Sequence, residues 1–349
     1  MELTERLRAW TSRRMRLEEP AGTPEQALRA VVAVYSTHPT SPLALRARCR
    51  SFSRTRYSNL DRRHKAIRIP AMRHTVFLIP TDHAARVFTA TRPSIAHALR
   101  PLKRIGFSNV DYERSARRIL TAASEPITAR DLGDLAGLKG AELTTVLRCL
   151  RYEGRLLTLA GESLNSSPHL YVSMASWLPE GLDAGDANDA LAWLAGEYLR
   201  AYGPARAADF AWWAGVGRRA ATTATARRPM IDLGDGLLLP TNDERPFTKV
   251  TALGNTVAIL PKWDAYTMGY APDGRARFVH PDVQERVYTP MGTGLPGDGN
   301  PVVLVGGEVV ATWTFTQKIG ASVQPFDSLG ARTRRRVEEK LDEVAHLLG

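Results

Sequence analysis

The chain has 349 residues, 44% of them hydrophobic and 24% charged, a balance that excludes a disordered tail and suits two to four folded units. Its formal charge is +11, and residues 1–120 hold 24 Lys/Arg against 9 Asp/Glu, whereas the remaining residues are slightly acidic. No run of eighteen apolar residues is present, which excludes a single hydrophobic membrane span; two isolated cysteines, and eight histidines without HExxH or i,i+4 spacing, exclude thiolate metal cages and the common zinc-enzyme motifs.

A basic excess on one segment points to a polyanion, because Lys and Arg gain affinity by releasing counterions condensed on phosphates. An Arg-rich surface set by codon usage is the plain alternative. The start, Met1-Glu2-Leu3-Thr4-Glu5-Arg6, lacks the apolar core of a signal peptide, so a cytoplasmic location is expected.

In chain order, Thr23-Pro24-Glu25-Gln26 predicts a helix start, with Thr23 as N-cap and Pro24 at the first helical position. That helix should carry Leu28, Val31, Val32 and Tyr35. Pro39 and Pro42 break it before helical spacing resumes from Leu43 to Cys49. The densest basic run then appears: Arg54, Arg56, Arg62, Arg63, His64, Lys65, Arg68 and Arg73. Residues Ala66 to Ile79 read as two strands around a short turn, the wing of a first winged helix whose basic run lies on its second helix and wing.

Two later segments repeat a spacing. Pro126-Ile-Thr-Ala-Arg-Asp131-Leu132 to Leu138 and Pro204-Ala-Arg-Ala-Ala-Asp209-Phe210 to Val216 both read Pro-x4-Asp-[Leu/Phe]-x3-Ala-Gly-[Leu/Val], a short helix ended by glycine. The first continues into a helix over Ala141 to Tyr152 and a strand-like stretch over Gly154 to Leu159. The second follows a helix over Asp186 to Tyr202 and continues through Gly217 to Ala226, with a candidate wing at Met230 to Leu233 and Gly236 to Leu239. Helix, glycine turn, helix and hairpin is the order of a winged helix-turn-helix.

The last hundred residues predict strands at Val250 to Leu260, Ala276 to Val279, Val302 to Val305 and Val309 to Gln317, a Gly/Pro-rich mobile loop at Gly292 to Asn300, and a closing helix at Ala331 to Leu348.

Four stretches together resemble the AlkZ/YcaQ-type winged-helix DNA glycosylases: Ala71 to Pro80, Tyr202 to Gly215, Leu260-Pro-Lys-Trp-Asp-Ala-Tyr-Thr-Met-Gly-Tyr270, and Val309 to Trp313 with Val323 to Phe326. The resemblance implies an α+β protein of three tandem winged-helix units and a small C-terminal β-barrel, arranged as a C-shaped DNA clamp. The units are expected at residues 1–108, 109–181 and 182–247, with the barrel at 248–349. It also implies double-stranded, damaged DNA as partner, no cofactor, no metal, a monomer, and a bacterial, nucleoid-associated location.

The catalytic Gln-Φ-Gln or Gln-Φ-Asp motif of the characterised members aligns with Tyr35-Ser36-Thr37, so neither glutamine is present here. The expected catalytic set is Tyr35, Thr37 and His38: a hydroxyl to hold water, an imidazole to accept its proton, and an aromatic to meet the lesion. Their structural alternatives are a core tyrosine, a cap and a surface histidine. The expected DNA contacts are Arg54, Arg56, Arg62, Arg63, Lys65, Arg68, Arg73, His74 and Lys262. Three function classes follow: a glycosylase removing alkylated or bulky-adduct purines, a non-catalytic DNA-binding protein that lost the glutamines, and a sequence-specific regulator.

Overall fold

The computed structural model describes residues 1–92, 95–160, 170–290 and 296–348. It divides into two compact units, one of residues 1–53 with 195–349 and the other of residues 54–194.

The N-terminal segment contributes α1 (Leu3–Arg14), α2 (Pro24–Ala30), β1 (Val34–Tyr35) and α3 (Pro42–Arg46) to the first unit. α1 buries Leu7 and Trp10 against Leu239 and Phe247, with Trp10 and Phe247 edge to face at 5.7 Å. α2 begins as its capping residues require, the Gln26 N–H donating to Thr23 Oγ1 at 3.2 Å. It stops at Ala30, shorter than the spacing predicts, and Tyr35 lies in an extended segment instead. The physical reason is the β-branched run Val31, Val32 and Val34, which loses rotamer freedom in a helix; Val32 turns into the left-handed region at φ 67°.

Residues 54–194 supply α4 (Arg54–Arg62), β2 (Ala66–Pro70), β3 (Val76–Pro80), α5 (Thr81–Thr91), α6 (Ile95–Arg104), α7 (Asn109–Ala122), β4 (Ile127–Thr128), α8 (Ala129–Ala136), α9 (Gly140–Tyr152), β5 (Leu156–Leu159), β6 (Leu170–Ser173) and α10 (Met174–Trp177). Their strands run antiparallel in the order β3-β2-β5-β6-β4. The hairpins read separately in the sequence are thus one sheet, joined where Arg68 on β2 opposes Thr158 on β5. Helices α7, α8 and α9 bury Tyr112, Ile119, Leu132, Val146 and Leu150 in one core.

The remaining helices are α11 (Ala187–Tyr202), α12 (Ala207–Ala214), α13 (Arg218–Thr225), α14 (Glu244–Thr248), α15 (Ala265–Met268), α16 (Gln284–Val287) and α17 (Ala331–Leu348). The strands are β7 (Met230–Asp232), β8 (Leu238–Pro240), β9 (Val257–Leu260), β10 (Tyr288–Pro290), β11 (Pro296–Gly299), β12 (Val302–Val305), β13 (Glu308–Thr316) and β14 (Gly320–Pro325).

The repeated Pro-x4-Asp motif has a capping explanation. Asp131 and Asp209 sit at the third position of α8 and α12, where the Asp131 N–H donates to Thr128 Oγ1 and the Asp209 carboxylate accepts the Arg206 N–H. Gly137 and Gly215 end these helices in the left-handed conformation at φ 71° and 75°, which a side chain would strain.

Two C-terminal expectations are corrected. Residues 276–279 are not a strand: Pro272–Arg277 forms 3-10 turns. The arginines of these turns are interior, Arg275 lying 3.7 Å from the Tyr288 ring centroid and Arg277 4.1 Å from that of Tyr270, so guanidinium–aromatic packing holds the segment. Nor do the described residues form a closed barrel. Strands β14-β13-β12-β9 make an open antiparallel sheet, and α17 lays Val337, Leu341, Val344 and Leu348 over its Ile259, Val303, Ala311 and Trp313. The helix covers the apolar face that closure would otherwise bury. Of the predicted loop Gly292 to Asn300, residues 292–295 lie outside the described residues, and Pro296–Gly299 pairs with β10.

Candidate functional site

The segment Lys262-Trp263-Asp264, between β9 and α15, is fixed by a buried ion pair. Arg48, just after α3, donates from Nη1 to Asp264 Oδ2 at 2.8 Å and from Nη2 to Oδ1 at 2.6 Å, and both side chains are fully inaccessible. Asp264 Oδ1 also accepts the Tyr266 N–H at 2.8 Å, capping α15. The rest of the Leu260–Tyr270 motif is equally structural. Tyr266 donates to the Gly307 carbonyl at 2.8 Å and Tyr270 to the Tyr202 carbonyl at 2.7 Å. Gly269 is needed because a Cβ there would stand 2.3 Å from the Tyr202 ring. Tyr202 in turn donates to the Val31 carbonyl at 3.0 Å, holding the strained turn that leads into Tyr35.

Lys262 and Trp263, with Ala265, are partly accessible. Trp263 is held in the left-handed region at φ 57°, a conformation of order 1–3 kcal/mol that surrounding contacts must maintain. Its N–H donates to the Gly299 carbonyl at 3.1 Å, and its indole Nε1–H donates to Asp298 Oδ1 at 2.6 Å. Lys262 Nζ bonds Asp298 Oδ2 at 2.9 Å and lies 4.7 Å from the Trp263 ring centroid.

Two predicted catalytic residues meet this platform. The Tyr35 ring is edge to face with Trp263 at 4.6 Å, and the His38 ring at 5.5 Å. Thr37 is exposed next to them. The Thr40 N–H donates to His38 Nδ1 at 3.3 Å, with the Thr40 hydroxyl 2.8 Å from the same nitrogen. A backbone amide can only donate, so Nδ1 is the acceptor and neutral His38 carries its proton on Nε2. Burial, and then the Lys262 ammonium, hold the imidazole below its ordinary pKa, against a smaller opposing pull from Asp298. His38 is therefore neutral at pH 7 and offers an N–H donor rather than a free base.

Asp298 was not among the sequence-predicted residues. It lies between Gly297 and Gly299 in a stretch that composition assigns to a loop, 35 positions from Trp263. An isolated carboxylate inside such a run was the available signal.

The basic residues divide. Arg54, Arg56, Arg62, Arg63, His64 and Lys65 are exposed on α4 and the turn after it. Arg68 is not: at 2% exposure it pairs with buried Asp61 and donates to Tyr57 Oη at 2.8 Å, anchoring α4 to β2. Its expected place at DNA is corrected accordingly, because an arginine already neutralising an interior carboxylate is withheld from phosphate. Arg73 and His74 occupy the β2–β3 turn, both left-handed at φ 51° and 58°. Lys262 lies with Asp298, apart from the α4 run in the chain. Among the described residues no cluster of three or more His, Cys, Asp or Glu could hold a metal, and no helix is long and apolar enough to cross a membrane.

The profile of a protein family described as DNA glycosylase AlkZ-like matches residues 28–347. The chain belongs to the AlkZ-like DNA glycosylase family. A DNA glycosylase function in DNA repair, and with it DNA binding, goes with that membership. The DNA glycosylase AlkZ of Streptomyces sahachiroi has a similar fold, with a TM-score of 0.76 at 16% identity over 98% of this chain and 96% of that one. No curated protein sequence matches the chain. Tyr35, Ser36 and Thr37 follow the left-handed turn at Val32. The Trp263 platform lies against the first of them.

Proposed function

We propose that this AlkZ-like protein hydrolyses the N-glycosidic bond of alkylated or bulky-adduct purines in double-stranded DNA, with Tyr35, Thr37 and His38 around the lesion. The observation that carries the reading is the packing of Tyr35 and His38 on Trp263, beside the exposed Thr37. An N7- or N3-alkylated purine is a cation whose glycosidic bond is already weak. Aromatic rings favour such a cation, and a neutral imidazole accepts its approach where an imidazolium would repel it. In this reading the Thr37 hydroxyl positions water and the His38 Nε2–H donates to the leaving base or the sugar.

The proposal assigns phosphate contacts to Arg54, Arg56, Arg62, Arg63, Lys65, Arg73 and His74, on the winged-helix pattern read over residues 1–108, 109–181 and 182–247. The order helix, glycine cap, helix and hairpin in α8 to β6 and again in α12 to β8 supports that pattern. The protein would act as a monomer, in the cytoplasm at the nucleoid. The test is duplex DNA carrying N7-methylguanine or a bulky N7 adduct, scored for alkali-labile abasic sites. Salt-sensitive binding without any abasic site across a lesion panel would favour the non-catalytic reading that the absent glutamines suggest.

A further inference from the structure

Tyr35-Ser36-Thr37 offers the sugar no carboxylate and no amide side chain. A polar group is still required there, because water attacking an oxocarbenium-like carbon must lose a proton and the developing positive charge must be met. Thr37 cannot stay deprotonated, and His38 has its accepting nitrogen occupied by Thr40.

Asp298 has the properties those two lack. Its oxygens accept from Trp263 Nε1 at 2.6 Å and Lys262 Nζ at 2.9 Å, which fixes the carboxylate plane. Each oxygen retains a further lone-pair direction. The side chain is 27% accessible, enough to take a water. Its setting is built: Trp263 is strained to reach it, the Trp263 N–H bonds the adjacent Gly299 carbonyl at 3.1 Å, and a Cβ on Gly299 would stand 2.7 Å from Met268 Sδ. The indole that Asp298 grips is the one on which Tyr35 and His38 pack, and its charge reaches His38. A partly accessible carboxylate tied to the strained Trp263 and to Lys262 has no role in the hydrophobic core.

We infer that Asp298, delivered by β11 rather than by the residues after α2, is the catalytic carboxylate of this site. This rests on the glycosylase reading above. The C1′–N bond of the cationic purine breaks with its electron pair going to the base, which leaves neutral. Positive charge passes to the sugar, opposite the Asp298 carboxylate. Water bonds to C1′ while its proton moves to Asp298 and thence to solvent, leaving an abasic sugar.

The experiment is single-turnover release of N7-methylguanine from a duplex oligonucleotide, alongside binding of the same duplex by anisotropy. Asp298→Asn keeps an oxygen for the indole N–H, and is expected to slow release about 100-fold with Kd within threefold of wild type. Asp298→Ala should be as slow, and added formate should restore its rate in proportion to concentration, which a structural role would not produce. Release by Asp298→Asn within threefold of wild type overturns the inference and leaves the glycosylase reading standing. Loss of binding and of the wild-type Tm in both variants, with no formate rescue, also overturns it. No release by the wild type on any lesion overturns both.

Discussion

Arg48 and Asp264 form a fully buried, bidentate ion pair, and through it a residue near the start of the chain dictates where Trp263 stands. The pair joins the segment after α3 to the loop before α15, and Trp263 is the next residue along from Asp264. The site is therefore assembled from positions about two hundred residues apart.

Removing one member leaves a charge stranded in the interior. Asp264→Ala is expected to cost about 3–5 kcal/mol, measured by urea unfolding, and to weaken excision because the Trp263 loop relaxes. Arg48→Met with Asp264→Leu should recover much of the stability without recovering the activity. A loss under 1 kcal/mol for Asp264→Ala would show that the pair is dispensable.

Gly269→Ala tests the close approach of α15 to Tyr202. The added methyl would overlap the ring, so a loss of at least about 1–3 kcal/mol is expected, with a lowered Tm. Wild-type stability would mean that Tyr202 can move aside without releasing Val31.

Acid should impair the enzyme through His38. Burial and Lys262 depress its pKa in the folded protein, with Asp298 opposing. The folded state thus binds less proton than the unfolded chain, and the stability contribution present at neutral pH is lost as pH falls below about 6.5. Excision of a cationic purine should fall over the same acid range, because an imidazolium repels it. His38→Gln should remove that acid limb from the rate profile. An unchanged limb in the variant would place the titrating group elsewhere.

The basic α4 face makes a salt-dependent prediction. Arg62→Ala with Arg63→Ala should weaken binding to all duplex sequences alike and flatten the slope of log K against log salt by about two units, while Arg68→Ala should act by destabilising the fold. Binding unchanged by the double substitution would favour the codon-usage explanation of the charge.

Much of the local structure was legible because it is written in caps and periodicity. Thr23, Asp131, Asp209, Gly137 and Gly215 mark helix ends through hydrogen bonds and conformational preferences that act within a few residues. The C-terminal helix and the β2–β3 hairpin follow from spacing alone. What escaped depends on distant partners. The N-terminal positive charge reads as a surface feature, yet Arg8, Arg14, Arg46 and Arg48 pair with Glu308, Asp243, Glu343 and Asp264, so part of the apparent asymmetry is internal neutralisation. Arg68 disappears from the surface for the same reason. Tyr35 and His38 could be picked out by alignment with a motif, whereas Asp298 could not, because its meaning comes from Trp263 and no local pattern connects them. The open sheet differs from the expected barrel because α17 supplies the cover that a strand pattern cannot reveal.

Base excision itself is measured by release of free N7-methylpurine from duplex DNA by the purified wild-type protein, followed by chromatography of the base, with Thr37→Ala compared at equal bound fraction. Release by the wild type is expected, with a rate at least about tenfold lower in the variant. Tight, salt-sensitive binding with no base released from any alkylated duplex would contradict it.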